Sequence, residues 1–319
     1  MAEVIAHATP AYATEPPRVE GPRHTALRKL VRNRPAVVGM VVIGVFGLLA
    51  LLAPWVDRYD PSAWQGAGTW KGPSADFWLG TDDGGRDMYS RLVHGARISL
   101  TVGVLSQVIA VAIGLTVGLS AGVGGRWLDS LLMRLTDVAY AFPDLLMLIV
   151  LVTIMGSSMT MVVLAIGFVS WTTIARVVRT QALALRDEEF VLAARALGAS
   201  RWQIARRHLL PNVLAPVIVT ATFGVPAAIF AEAALVYIGV GLAGPSWGRI
   251  ILESFDASHP EHAVIPCAVV ALTMLSFTLI GDGLRDALDP RSSTRRALPK
   301  AEQARVRRDT PPGEERLAA

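Results

Sequence analysis

Five stretches of this chain carry no charged residue over lengths that few soluble folds tolerate. They run 22 residues from Pro35 to Val56, 28 from Ile98 to Gly125, 31 from Leu145 to Ala175, 23 from Leu209 to Ala231 and 19 from Ala263 to Gly281. A helix rises about 1.5 Å per residue, so roughly 20 apolar residues cross the hydrocarbon layer of a bilayer. Each run has that reach. The chain is therefore read as an all-α integral membrane protein, in which each backbone amide is satisfied within its own helix. Composition agrees, with 52% of the 319 residues hydrophobic and 18% charged, against about 25% charged in soluble domains.

The number of crossings turns on the run from Leu145 to Ala175, which is either one long tilted helix or parts of two. One helix gives five crossings and puts the segment from Arg176 to Pro211, with seven arginines against three acids, outside. If the third helix instead starts near Leu128 and turns at Gly156-Ser157-Ser158, there are six. That arrangement places 24 of the 30 Lys and Arg residues on the inner side and 6 on the outer, the bias that orients membrane proteins. Six spans are expected, roughly at 35–55, 98–122, 128–155, 159–180, 212–240 and 263–286, with both termini in the cytoplasm. Residues 1–34 form a cytoplasmic segment ahead of a retained anchor helix at 35–55. An outer loop follows at 56–97, then a core of five helices over 98–290, and 291–319 reads as a disordered cytoplasmic tail.

A net charge of +4 and a pI near 9.6 do not signal nucleic acid, because the basic residues sit at the ends of the apolar runs. Cys267 is the single cysteine, so there is no intrachain disulfide and no cysteine metal cluster. The three lysines lie outside any G-x-x-x-x-G-K-[ST] pattern, so this chain is not expected to hydrolyse ATP by a phosphate loop. Gly239, Gly241 and Gly244 match G-x-G-x-x-G but lie at the end of a membrane helix, where the dinucleotide reading fails. Asp82 to Asp87 lacks the spacing and terminal Glu of a calcium loop and reads as a surface turn. No catalytic constellation and no cofactor are expected.

Within the spans, Gly114, Gly118 and Gly122 form a small-residue stripe for close helix packing, and Pro143, Pro216 and Pro226 are expected to kink their helices. Asp137, Asp144, Glu232 and Asp282 are ionisable groups at membrane depth, where charge is costly. Asp137 and Asp282 are expected to pair with Arg134 and Arg285. Glu232 is expected to line a pathway or to face a second subunit.

The segment 186–211 is the most informative. Asp187, Glu188 and Glu189 suit a helix N-terminus. Phe190, Ala193, Ala194 and Leu197 recur at i, i+3, i+4 and i+7. Gly198 stands where a left-handed terminator belongs, and Ser200 with Gln203 matches a capping box that opens a second helix. Pro211 marks the entry to the fifth span. Two short helices meeting at a glycine are either an amphipathic hairpin on anionic lipid or a docking surface for a cytoplasmic partner.

Leu192-Ala193-Ala194, Gly198 and Leu210-Pro211 resemble the "EAA" loop of ATP-binding-cassette importer permeases, which docks into a groove of the ATPase subunit. Leu192 stands where that family often has Glu and His208 where it has Ile; Glu188 and Glu189 lie one helical turn from the first. Further stretches are similar to the dipeptide, oligopeptide and nickel permeases, and most like their C-type subunit. These are Tyr59-Asp60-Pro61, Trp78 to Asp83, Gly85-Arg86-Asp87, Ser90-Arg91-Leu92, Gly95 to Leu100, Ala141-Phe142-Pro143 and Pro245-Ser246-Trp247-Gly248. The resemblance spans residues 28–290. It implies a type I importer transmembrane domain in the cytoplasmic membrane, paired with a homologous permease as a heterodimer. Two cytoplasmic ATPase subunits and an extracytoplasmic binding protein would complete it, with a peptide as the cargo. Docking would then fall to Glu189, Phe190, Leu192, Ala193, Ala194, Leu197, Gly198, Leu210 and Pro211. The rival reading is a proton-coupled secondary carrier using Glu232, Asp137 or Asp282 as a relay.

Overall fold

The structure, a computed structural model, describes residues 22–66, 68–256 and 258–288. Most of the expected N-terminal segment and all of the expected tail lie outside these residues. In order the elements are α1 (Pro22–Arg32), α2 (Arg34–Val56), α3 (Met88–Val123), α4 (Arg126–Ala141), α5 (Asp144–Met155), α6 (Met159–Arg186), α7 (Glu189–Ala196), α8 (Arg201–Ile204), α9 (Leu210–Ile238), α10 (Trp247–Ser254) and α11 (Glu261–Leu288). A π-helical turn, Ala205–Leu209, joins α8 to α9. Among the described residues there is no strand, only an isolated bridge between Thr81 and Asp87.

Five helices are long and apolar enough to cross a bilayer: α2, α3, α6, the continuous unit Arg201–Ile238, and α11. The sixth element differs from expectation. The helix expected at 128–155 breaks into α4 and α5, which meet at 87°. Phe142 is extended, with φ −79° and ψ 136°, because a residue before proline is driven out of the helical region. Pro143 then brings no N–H to continue the ladder. Pro216 and Pro226, by contrast, remain inside α9.

The core forms where glycine lets backbones meet. A β-carbon added at Gly114, Gly118 or Gly122 of α3 would lie 2.5–2.6 Å from Ile174, Ala175 and Val178, or Ala182 of α6. The stripe therefore packs within the chain. A β-carbon added at Gly39 of α2 would likewise lie 2.5 Å from the Ser276 carbonyl oxygen of α11. In lipid such contacts replace the hydrophobic drive that holds soluble helices together.

The loop after α2 is shorter than expected, because α3 begins at Met88 rather than near residue 98. Asp87 caps it, accepting hydrogen bonds from the Ser90 N–H at 2.8 Å and hydroxyl at 2.6 Å. The turn around Asp82 is no surface turn. Asp82 is buried and accepts from Arg86 Nε at 2.8 Å and from buried Arg91, while Glu253 of α10 receives Arg91 at 2.5 Å and Arg86 at 2.9 Å. Burial acts to lower the Arg86 pKa, and the charges of Asp82, Glu253 and Asp83 outweigh it, so the guanidinium is held above its ordinary value.

Ion pairs at the other end of the bundle also correct the sequence reading. Asp137 pairs with Arg176 of α6 at 2.9 Å, not with Arg134. Asp129 takes Arg179 in a two-pronged contact of 2.5 and 2.7 Å. Both bonds tie α4 to α6, which the sequence places far apart. Asp282 is exposed, and no Asp282–Arg285 pair forms among the described residues. Asp144 is an exposed residue in the first turn of α5.

Candidate functional site: the 186–211 hairpin

Helix α6 ends at Arg186, and Glu188 takes the N-cap position of α7 with Glu189 in its first turn. At the far end the chain closes as expected. Gly198 has φ +85°; its N–H donates to the Arg195 carbonyl at 3.0 Å and the Ala199 N–H to the Ala194 carbonyl at 3.0 Å. This paired arrangement satisfies carbonyls that a helix end leaves open, and it needs a residue in the left-handed region. Two residues on, the Ser200 hydroxyl accepts from the Gln203 N–H at 3.3 Å and the Gln203 side chain accepts from the Ser200 N–H at 2.8 Å. The turn is thus fixed from both sides by six residues.

The second helix does not stop at Pro211. It runs through the π turn into α9, the Leu210 N–H reaching back to the Ala205 carbonyl. Proline removes one donor and crowds the carbonyl four residues earlier, here Arg207, and the widened turn lies over that position. The second half of the hairpin and the fifth span are therefore one continuous rod. Leu210 is half-buried at its seam and Pro211 exposed.

One residue that periodicity passed over secures the hairpin. Val191 is 0% exposed, in a cluster with Val178 and Ala182 of α6, Ile204, Leu209 and Val213. The face made of Phe190, Ala193 and Leu197 looks outward instead, and Ala194 is half-buried. Leu197 is 88% exposed and Trp202 65%, with Phe190 and Leu192 also exposed. Large apolar groups on a rigid turn are an uncovered surface, which is what marks interaction sites. Under the hairpin a cavity of about 390 Å³ is lined by Arg186, Arg195 and Arg201 with Asp187 and Gly125. The sequence signal for the buried anchor was faint, since Phe190 to Ala194 is apolar without interruption.

Glu232 lies apart from the hairpin, near the opposite end of α9. It is fully buried in this chain, neither carboxylate oxygen has a hydrogen-bond partner, and a β-carbon on Gly248 would lie 3.3 Å from Oε2. Its side chain is directed at the first turn of α10 rather than at an open surface. Gly239 ends α9 in the left-handed region with φ 91°, so the G-x-G-x-x-G pattern follows a helix and has no strand before it.

Residues 114–294 match the family described as binding-protein-dependent transport system inner membrane component, and residues 21–71 match the N-terminal TM domain of oligopeptide transport permease C. The dipeptide transport system permease protein DppC of Alkalihalophilus pseudofirmus is 41% identical over 291 residues, covering 89% of this chain and 96% of the relative. The oligopeptide transport system permease protein OppC of Bacillus subtilis is 38% identical over 270 residues, covering 83% of this chain and 88% of the relative. Among solved structures, inward-facing conformations of the MetNI methionine ABC transporter include a chain similar in fold. Its TM-score is 0.50 at 21% identity, covering 63% of this chain and 97% of that one. With its apolar helices and a family match over more than half its length, this multi-pass membrane chain belongs to the binding-protein-dependent transport permeases, a family of transport proteins rather than enzymes.

Proposed function

We propose that this chain is the C-type permease subunit of an ATP-driven peptide importer, and that the 186–211 hairpin is where ATPase movement enters it. The observation that carries this reading is the hairpin's construction. Val191 is buried against two spans while Leu197 and Trp202 stand in the open. A lipid-lying amphipathic helix needs no capped glycine turn and no buried anchor; a lever that receives a push needs both.

In this scheme a homologous permease completes the pathway, two ATPase subunits bind on the cytoplasmic side, and an extracytoplasmic binding protein delivers the peptide. Leu192, Ala193, Ala194, Leu197 and Gly198 seat in the ATPase, with Glu189 and Phe190 at the rim. Closure of the ATPases on ATP displaces the hairpin. Because α8 is continuous with α9, and α7 follows α6 after two residues, the push reaches two spans together. Switching of this type requires an element with two positions, not covalent chemistry in the permease. The peptide cargo is inferred from the names of the relatives.

The test uses a Cys267→Ser background in the assembled transporter. A cysteine at Leu197 is expected to cross-link to the ATPase, and one at Ser200 to react with an impermeant thiol reagent only when the inner face is open. A cysteine at Ser74 is expected to react from outside. Uptake should persist when the proton gradient is collapsed and stop when ATP is depleted. External labelling at Ser200, or uptake that follows the proton gradient, overturns the proposal.

A further inference from the structure

Away from the hairpin and from the packed ion pairs, one cluster of ligand-bearing side chains has no role in the scheme above. His259, Glu261 and His262 gather at the first turn of α11. His259 Nδ1 lies 3.5 Å from Glu261 Oε1 and His262 Nε2 lies 3.9 Å from the same oxygen, with all three ligand atoms within 4.8 Å of one another. The backbone holds them in turn geometry: the His259 N–H donates to the Asp256 carbonyl and the His262 N–H to the His259 carbonyl, each at 3.2 Å.

A tetrahedral ion with bonds of about 2.0–2.2 Å sets its ligand atoms roughly 3.3–3.6 Å apart. The two separations to Glu261, 3.5 and 3.9 Å, fall at or just outside that range, and the two imidazole nitrogens lie within 4.8 Å of each other. Two imidazoles and one carboxylate form a three-ligand set that leaves a fourth position open, and this donor set suits first-row divalent transition ions rather than magnesium or calcium.

A second observation points to the same place. Trp70 stacks on the His259 ring at 5.3 Å and 25° and meets His262 edge-on at 5.1 Å and 64°. Among the described residues Trp70 is the one non-glycine with positive φ, 55°, a conformation that bulky side chains avoid. It is kept there by the Trp70 N–H donating to the Asp82 carbonyl at 3.1 Å and the Lys71 N–H to Thr81 Oγ1 at 2.9 Å. The loop after α2 accepts backbone strain and lays an indole over both candidate ligand rings. The contrast with Asp82, Asp83 and Glu253 is informative, since those carboxylates also converge but already hold Arg86 and Arg91.

We propose that His259, Glu261 and His262 bind one divalent transition-metal ion of the zinc or nickel type, with Trp70 packed over the site. The ion fastens the start of α11 under the loop that follows α2.

The test titrates the full chain, purified with no histidine tag and reconstituted in lipid discs, with zinc chloride alone. Cys267→Ser removes the single thiol, and His94→Asn removes the other described imidazole that lies beside a carboxylate, that of Asp57. The expected result is one Zn²⁺ per chain, retained in both of those variants, abolished in H259N/H262N and weakened by roughly tenfold or more in E261Q. Added zinc should raise the unfolding midpoint of wild type above its own value in chelator, and should leave that of H259N/H262N at its value in chelator. A wild-type chain that binds no zinc overturns the proposal. So does an H259N/H262N chain that still binds one zinc with wild-type affinity. Neither outcome bears on the docking role of the hairpin.

Discussion

Leu197 and Val191 lie six residues apart in the same hairpin, one exposed and the other buried, and truncating each should give opposite failures. Leu197 is 88% exposed, so Leu197→Ala removes almost nothing from the folded chain; surface changes of this kind stay within about 0.5 kcal/mol. Under the docking proposed above, the same side chain is buried by the ATPase. Three methylene-equivalents at about 0.8 kcal/mol each, reduced for incomplete burial, give about 2 kcal/mol, or roughly thirtyfold in the dissociation constant. Val191→Ala removes two methyl groups from a fully buried position. It should cost about 2 kcal/mol within the chain, counting transfer and residual cavity. The assay pairs thermal unfolding of the permease in lipid discs with titration of the ATPase onto the same discs. Leu197→Ala should leave unfolding unchanged and weaken association; Val191→Ala should destabilise the hairpin and uncouple hydrolysis from uptake. Wild-type ATPase affinity and uptake in Leu197→Ala, at normal protein levels, would refute the docking geometry.

At Gly198 nothing lies within 4 Å of an added β-carbon, so the penalty there is conformational alone. Ala should cost about 1–2 kcal/mol and Val more, read as lost coupling with the spans still inserted. Gly118→Val places a branched side chain 2.6 Å from the Ala175 carbonyl and Val178; overpacking of this sort costs about 1–3 kcal/mol or more and should appear as a lowered unfolding midpoint. Asp82→Asn keeps the shape but removes one of two acidic partners from buried Arg91. A loss of about 3 kcal/mol should loosen the loop around Asp82 from the start of α3, seen as faster hydrogen exchange over residues 80–92.

The crossings were legible because the bilayer imposes one length and one polarity on every span, so an uncharged run is nearly a direct readout. Helix ends were legible for a similar reason. Gly198 and Ser200 with Gln203 act through bonds to neighbours within three or four residues, and that chemistry is local. The break at Phe142-Pro143 was half legible. Proline announces a disturbance, but whether a helix runs on through it, as at Pro216, or turns by 87° depends on what packs around it. Partners of charged groups were not legible. Arg134 is one turn from Asp137 in sequence, yet Arg176 arrives from another helix, and nothing local encodes that approach.

The hairpin shows why its inward face escaped periodicity. An eight-residue helix makes little more than two turns, and Phe190 to Ala194 is apolar at every position, so spacing alone fits more than one face. The choice is made by the two spans that hold its ends. Val178 and Ala182 of α6, with Leu209 of the π turn and Val213 of α9, form a notch that accepts Val191. Once Val191 is seated, helical geometry turns Leu197, six residues on, well away from that notch. The glycine turn then sends the chain back as α8, which enters α9 without a loop. Arg176 and Arg179 bind α6 to Asp137 and Asp129 of α4, so α6 does not receive the displacement alone. In the proposed scheme a force on Leu197 is thereby shared among α6, α9 and α4, and the surface left open by packing is where the ATPase would move those helices together.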